Sequence, residues 1–242
     1  GPLPDLSKLD ETQIPRFNFR QILGEEGQNK PFAARNLLNG NSHGAYGILP
    51  NAAIDHFDGS WQRPGYAKTF NALLPDGKQH YSGGQLKMMD AACRADAATA
   101  IVNDLRKAGA RYGDLWYGFM DNDWGWDMDP ASRAFADQHG GVPSAPRIDM
   151  AIDVLRRVKQ TLPEAKIAVN AYHWSFTPPT GLAIPEDLLV YPMTIHVDYS
   201  TPLNQGRNLK LGKDLEGWNA IAPNILLWDH VVNFHGYIQP TP

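Results

Sequence analysis

Acidic, imidazole and indole side chains recur in this sequence just beyond its apolar runs. Asp121-Asn122-Asp123-Trp124-Gly125-Trp126-Asp127 follows the run at 114–120, Tyr172-His173-Trp174 follows 166–171, and His196-Val197-Asp198-Tyr199 follows 188–195. The run at 224–232 carries Trp228, Asp229 and His230, and Asn233, Phe234, His235 and Tyr237 come after it. Carboxylates beside Trp and Tyr suit carbohydrate, because sugar C–H faces stack on aromatic rings and sugar hydroxyls bond to acids and amides. Glycoside hydrolysis needs a proton donor near the leaving oxygen and a second group that supports positive charge at the anomeric carbon.

Asp123 and Asp121 are the catalytic candidates. Residues i and i+2 of an extended segment point the same way, so either acid could enter the pocket with the other as its support. Partial burial by Trp124 and Trp126 would raise the pKa of the donor. Asn122, Trp124, Tyr172, His173, His196, Trp228, Asp229, His230 and Asn233 are the expected sugar-binding residues. Asp127 and Asp129 read as caps of the following segment or ligands of a structural cation.

Three other motifs compete. Gly40-Asn41-Ser42-His43-Gly44 matches the nucleophile-elbow pattern, but Pro50 follows too soon for the helix that the elbow requires. Asp121 to Asp129 has the acid spacing of a calcium loop, yet Gly125 and Ser132 stand where an EF-hand needs ligands. His173, His196, His230 and His235 could gather around zinc, but no His-x-x-x-His pair on a helix supports that, and neither a metal nor another cofactor is expected.

The elements that must position these residues are legible from periodicity. Residues 16–22 alternate as a strand, 31–38 read as a short helix, and 39–85 form a long Gly- and Pro-rich loop region, with a strand over 45–49. A helix is predicted over 90–108, with Ala91, Ala95, Ala98, Ile101, Val102, Leu105 and Ala108 on its apolar stripe. Residues 114–120 suit a strand covered on both faces, and 121–147 read as a second long loop. A second helix is predicted over 148–162, striped by Ile148, Ala151, Ile152, Leu155, Val158 and Leu162 and ended by Pro163. Strands over 166–171 and 188–195, a helix over 214–222 and a strand over 224–232 complete the chain.

Apolar strands alternating with amphipathic helices imply parallel β-strands joined by crossovers, an α/β fold. An open doubly wound sheet and a closed barrel both fit this order, and the lack of a Gly-x-Gly-x-x-Gly turn weakens the dinucleotide-binding version. In either case the carboxyl ends of the strands share one face, where the four polar clusters would meet.

Composition narrows the function. The chain has 242 residues, 43% hydrophobic and 20% charged, with a net charge of −4, which is enough for a sizeable core and not the profile of a disordered chain. No run of about 18 apolar residues appears, so no membrane partner is expected. The absence of a basic patch argues against nucleic acid. A single cysteine, Cys93, excludes an internal disulfide framework and a cysteine-rich zinc site. Seven Trp, nine Tyr and nine Phe supply flat side chains for a core or a cleft. The opening Gly1-Pro2-Leu3-Pro4 carries no signal peptide and reads as a cleavage scar, and Gln239-Pro240-Thr241-Pro242 as a cut or a linker, so further domains of a longer parent chain are expected.

Several stretches, in order, resemble a known family. Residues 214–240, with Leu215-Glu216-Gly217-Trp218, Leu227-Trp228-Asp229-His230, Asn233-Phe234 and Tyr237, resemble the signature of the bacterial family called domain of unknown function 4838. Pro15-Arg16-Phe17-Asn18-Phe19-Arg20, Phe32-Ala33-Ala34-Arg35-Asn36, Leu73-Leu74-Pro75-Asp76-Gly77-Lys78, Asn122-Asp123, Ala171-Tyr172 and Pro178-Pro179 are similar to its other motifs. The resemblance implies a glycosidase-type (β/α)8 TIM barrel over 16–242, preceded by a lead-in at 1–15. At most seven strands can be counted, so the barrel is expected to be incomplete or truncated at its C-terminus. Some relatives belong to glycoside hydrolase family 163 and act on N-acetylglucosaminides of complex N-glycans, with the substrate acetamido group as nucleophile and an acid pair after the fourth strand. This chain has Asp121-Asn122-Asp123 in place of an Asp-Glu pair, and Trp124-Gly125-Trp126 in place of a cysteine-rich loop. The implied function is a glycosidase acting on an oligosaccharide or polysaccharide, secreted or periplasmic in a bacterium. A non-catalytic sugar-binding barrel and a metal-dependent hydrolase are the alternatives.

Overall fold

Helix α1, Ala91–Lys107, starts where Asp90 can cap it: its Oδ1 accepts the Cys93 N–H at 2.8 Å, satisfying one of the donors that a first turn leaves open. The face it buries is Cys93, Ala97, Ile101 and Leu105, spaced by four, with Ala100 and Val102 beside them. Ala91 and Ala95, expected on that stripe, are exposed. The computed structural model describes Pro31 and residues 85–107, 112–113, 116–119, 121 and 128–229. The lead-in at 1–15, the strands expected over 16–22 and 45–49, the helix over 31–38 beyond Pro31, and the loop region 39–84 lie outside the described residues. The chain divides into Gly1–Asn51 and Ala52–Pro242, and every element described here belongs to the second.

Four strands follow among the described residues: β1 Trp116–Gly118, β2 Lys166–Ala171, β3 Leu188–Pro192 and β4 Asn224–Ile225. They form one sheet in the order β1-β2-β3-β4 with every pairing parallel. The fold is therefore mixed α/β around a parallel sheet. β2 is central, and its residues Ile167–Ala171 are buried without alternation. That is the pattern of a strand covered on both faces.

The expected loop over 121–147 is corrected in part. Helix α2, Pro130–Gln138, lies within it, and helix α3 spans Ser144–Lys159. Two local signals account for both. Asp129 accepts from the N–H groups of Ala131 and Ser132, with Pro130 in the first turn where its missing donor costs nothing. Pro146 likewise falls in the first turn of α3, so the helix begins before it rather than after. Asp129 is thus a helix cap, as read from the sequence; Asp127 lies outside the described residues.

α3 buries Ile148, Met150, Ala151, Val154, Leu155 and Val158 against α1 and the sheet, while Ile152 and Leu162 are only partly covered. Each large aliphatic side chain so buried contributes roughly 1.5–3 kcal/mol before entropy is counted. Arg94 on α1 ties the two helices by an ion pair to Asp149 at 2.6 Å.

The β2–β3 crossover holds no α-helix. It contains a 3-10 turn, His173–Ser175, and then Pro178, Pro179, Gly181 and Pro185, which forbid a longer helix. Helix α4, Leu209–Ile221, connects β3 to β4 and starts five residues earlier than the pattern predicted. Its Trp218 is buried and donates from Nε1 to the Phe176 carbonyl at 2.6 Å, so α4 packs onto the β2–β3 crossover. β4 is shorter than expected, but the ladder resumes as a parallel bridge between Met193 and Trp228. No helix among the described residues is long and apolar enough to cross a membrane.

Candidate functional site

Parallel strands point their carboxyl ends the same way, and the polar residues that follow them form two hydrogen-bonded groups. The first is centred on Asp121, three residues past β1. Its backbone N–H donates to Asn170 Oδ1 at 2.9 Å, and Asn170 Nδ2 donates back to Asp121 Oδ1. Ser175 Oγ lies 2.9 Å from Asp121 Oδ2 and 3.1 Å from the Tyr172 carbonyl, sharing its one proton between them. Asn170 is a buried amide in the otherwise apolar β2, and this reciprocal pairing compensates its burial.

Arg147 comes up from the first turn of α3. It is 2% exposed, lies 4.5 Å from the Phe119 ring centroid and donates to the Phe119 carbonyl. Burial raises the Asp121 carboxyl to about 6, and the Arg147 charge with the donors from Ser175 and Asn170 limits the rise. Burial pulls the Arg147 guanidinium below its ordinary range, and the Asp121 charge opposes that.

The second group is centred on Asp229. Its Oδ1 accepts from Thr194 Oγ1 at 2.5 Å and from the Tyr199 hydroxyl at 2.8 Å. The bridge between Met193 and Trp228 sets this register, since Thr194 N donates to the Trp228 carbonyl at 2.9 Å. Burial, then Asp229, pushes the Tyr199 hydroxyl above its ordinary range. Trp228 is half-buried and leans on buried Tyr191, with ring centroids 5.3 Å apart.

Two imidazoles from the segments after β2 and β3 meet. His173 and His196 are exposed and meet edge to face at 5.2 Å, and Tyr172 approaches His173 at 5.9 Å. His173 has φ +49, the left-handed region that a side chain rarely adopts. Reciprocal bonds hold the turn: Ser175 N donates to the Tyr172 carbonyl at 2.9 Å, and Tyr172 N to Ser175 Oγ at 3.3 Å.

A scan against protein families matches residues 4–242 to Domain of unknown function (DUF4838). The chain belongs to the DUF4838 family. No curated protein matches it.

Of the residues expected in the site of this DUF4838 chain, Asp121 and Tyr172 fall in the first group and Trp228 and Asp229 in the second, while His173 and His196 pair with each other. Asn122, Asp123, Trp124, His230 and Asn233 lie outside the described residues. Sequence reasoning missed Arg147, Asn170, Ser175 and Thr194, and placed Tyr199 in a strand-end cluster without giving it a role. An Asn inside an apolar strand was a usable signal for Asn170, because a buried amide demands partners. Arg147 gave none, since an arginine before an apolar stripe reads as solvated. Among the described residues no group of three or more His, Cys, Asp or Glu side chains is placed to hold a metal ion.

Proposed function

We propose that this DUF4838 chain is a carbohydrate-active hydrolase of glycosidase type, whose sheet is part of a (β/α)8-type barrel. Its substrate is an oligosaccharide or polysaccharide containing N-acetylglucosaminides, met outside the bacterial cytoplasm. The observation that carries the reading is Asp121, a half-buried carboxyl raised to about 6 at the carboxyl end of β1. It shares the strand ends with Tyr172, His173, His196, Trp228 and Asp229. A carboxyl desolvated and held fixed among aromatic and hydrogen-bonding side chains is suited to support the positive charge that develops at an anomeric carbon.

The roles divide by bonding. Asp121 has both oxygens engaged by Asn170 and Ser175, so it acts as the fixed member that supports developing positive charge. Asp123, two residues on, delivers the proton. Trp228 offers a ring face for a sugar. The Asp229 carboxylate, held on one oxygen by Thr194 and Tyr199, accepts from a sugar hydroxyl through the other.

The test is release of reducing ends from complex N-glycans and from aryl β-N-acetylglucosaminides. Asp123→Asn is expected to lower kcat by roughly 10²–10⁴-fold, the ordinary share of a general acid. Turnover that survives this substitution overturns the acid assignment. Glycan-array binding without turnover in the unsubstituted chain would make it a sugar-binding module instead.

A further inference from the structure

Arg147 carries a full charge at 2% exposure, and no carboxylate among the described residues lies within ion-pair distance of it. Its Nε has no hydrogen-bond partner among the described residues. A buried cation in that state is costly and persists only where something offsets it. Among the described residues its offsets are the Phe119 carbonyl, the Phe119 ring and the charge of Asp121, two residues further along the same segment. A neutral side chain of similar length could fill the same space against Phe119. What only a cation supplies is a positive potential at Asp121.

We infer that Arg147 is a positioning residue for the site: it fixes the end of β1 through the Phe119 carbonyl and ring, and so holds a buried positive charge close to the segment that carries Asp121. It acts through Asp121 and not by touching substrate. The groups facing Asp121 are Arg147 from α3, Asn170 from β2 and Ser175 from the turn after β2. Among the described residues Arg147 is the one charged group of these three. The inference rests on the reading that Asp121 belongs to the catalytic site, but its test needs no substrate.

The carboxyl carbon of Asp121 is followed by NMR against pH in the full chain, with Asp121→Asn to assign the signal. In Arg147→Met the midpoint is expected to rise by roughly one pH unit or more, the usual effect of losing a nearby opposite charge. In Arg147→Lys, which keeps the charge, it stays closer to that of the unsubstituted chain. A midpoint unmoved in Arg147→Met overturns the inference. If Arg147→Met does not fold, the double variant Asp121→Asn/Arg147→Met decides: folding of the double variant supports the coupling, and failure of both assigns Arg147 to packing alone and overturns it. Glycosidase assays stay separate, since an inactive chain with a shifted midpoint refutes the proposed function and leaves the Arg147 coupling standing.

Discussion

Ser175 Oγ stands 2.9 Å from Asp121 Oδ2, joining the turn after β2 to the segment after β1 across 54 residues of chain. The same hydroxyl accepts the Tyr172 N–H and so holds the turn in which His173 is left-handed. One side chain therefore fixes both an acid and the imidazole beside it. Ser175→Ala leaves a buried carboxylate oxygen short of a donor, at a cost of roughly 1–3 kcal/mol. Thermal denaturation is expected to show that loss, with Ser175→Thr recovering part of it; an unchanged Tm would remove Ser175 from this role.

Protonation of Asp121 sets a pH dependence of stability. Its carboxyl titrates at about 6 when folded, against 3.8 as the ordinary value. The folded chain therefore binds this proton more tightly, and the contribution is complete below about pH 4 and lost as pH rises through 6. Its size is roughly 2–3 kcal/mol. Asp153 works in the opposite sense: burial raises it, but bonds from Arg157 and Arg156 outweigh burial and hold it below the ordinary range. The readout is thus the difference between the unsubstituted chain and Asp121→Asn in urea unfolding from pH 4 to 7.5. A difference that stays flat across that interval contradicts the burial of Asp121.

Backbone strain at His173 predicts a trade of stability for binding. Glycine adopts φ +49 freely, so His173→Gly is expected to relieve up to roughly 1 kcal/mol of left-handed strain. It also removes an exposed imidazole from the rim beside His196, and binding to N-acetylglucosamine-terminated glycans is expected to weaken. Equal or tighter glycan binding in a stabilised variant would show that His173 is not held there for a ligand.

Around Asp229 the two donors differ in burial. Thr194 is 2% exposed and Tyr199 41% exposed. Thr194→Val is expected to cost roughly 1–2 kcal/mol, and Tyr199→Phe a few tenths, because water replaces the lost bond at the exposed site. Both release the carboxylate and are expected to raise KM for the glycan substrate. The reverse order of stability losses in chemical denaturation would contradict this account.

Gly212 lies inside α4, where alanine ordinarily gains about 1 kcal/mol. A Cβ there would sit 2.3 Å from the backbone oxygen of Leu203, which cannot rotate away. Gly212→Ala is therefore expected to destabilise the chain by roughly 1–3 kcal/mol. A rise in Tm would mean that the loop around Leu203 yields easily.

The sequence displays what is local. Apolar runs with no alternation mark β2 and β3, and three- and four-residue spacing marks α1 and α3, because each pattern reports the surroundings of one element. Asp129-Pro130 was an equally local signal for α2: the acid was legible as a cap, while the nine residues after it carry too short an apolar pattern to mark a helix. The missing helix between β2 and β3 was legible in Pro178-Pro179, which cannot donate the bonds a helix needs.

Family membership and the strand-end aromatics and acids are properties of the chain order, and the sequence alone determined them. Which side chains share a proton or a charge is a property of distance. Arg147 and Asp121 are 26 positions apart, and Thr194 and Asp229 35. Only packing the first turn of α3 against Phe119 brings a buried cation near Asp121, and only the bridge beyond β3 brings Thr194 to Asp229. Local pattern fixes which face of an element is apolar; the pairing of elements decides which polar groups lose water together, and that sets their chemistry.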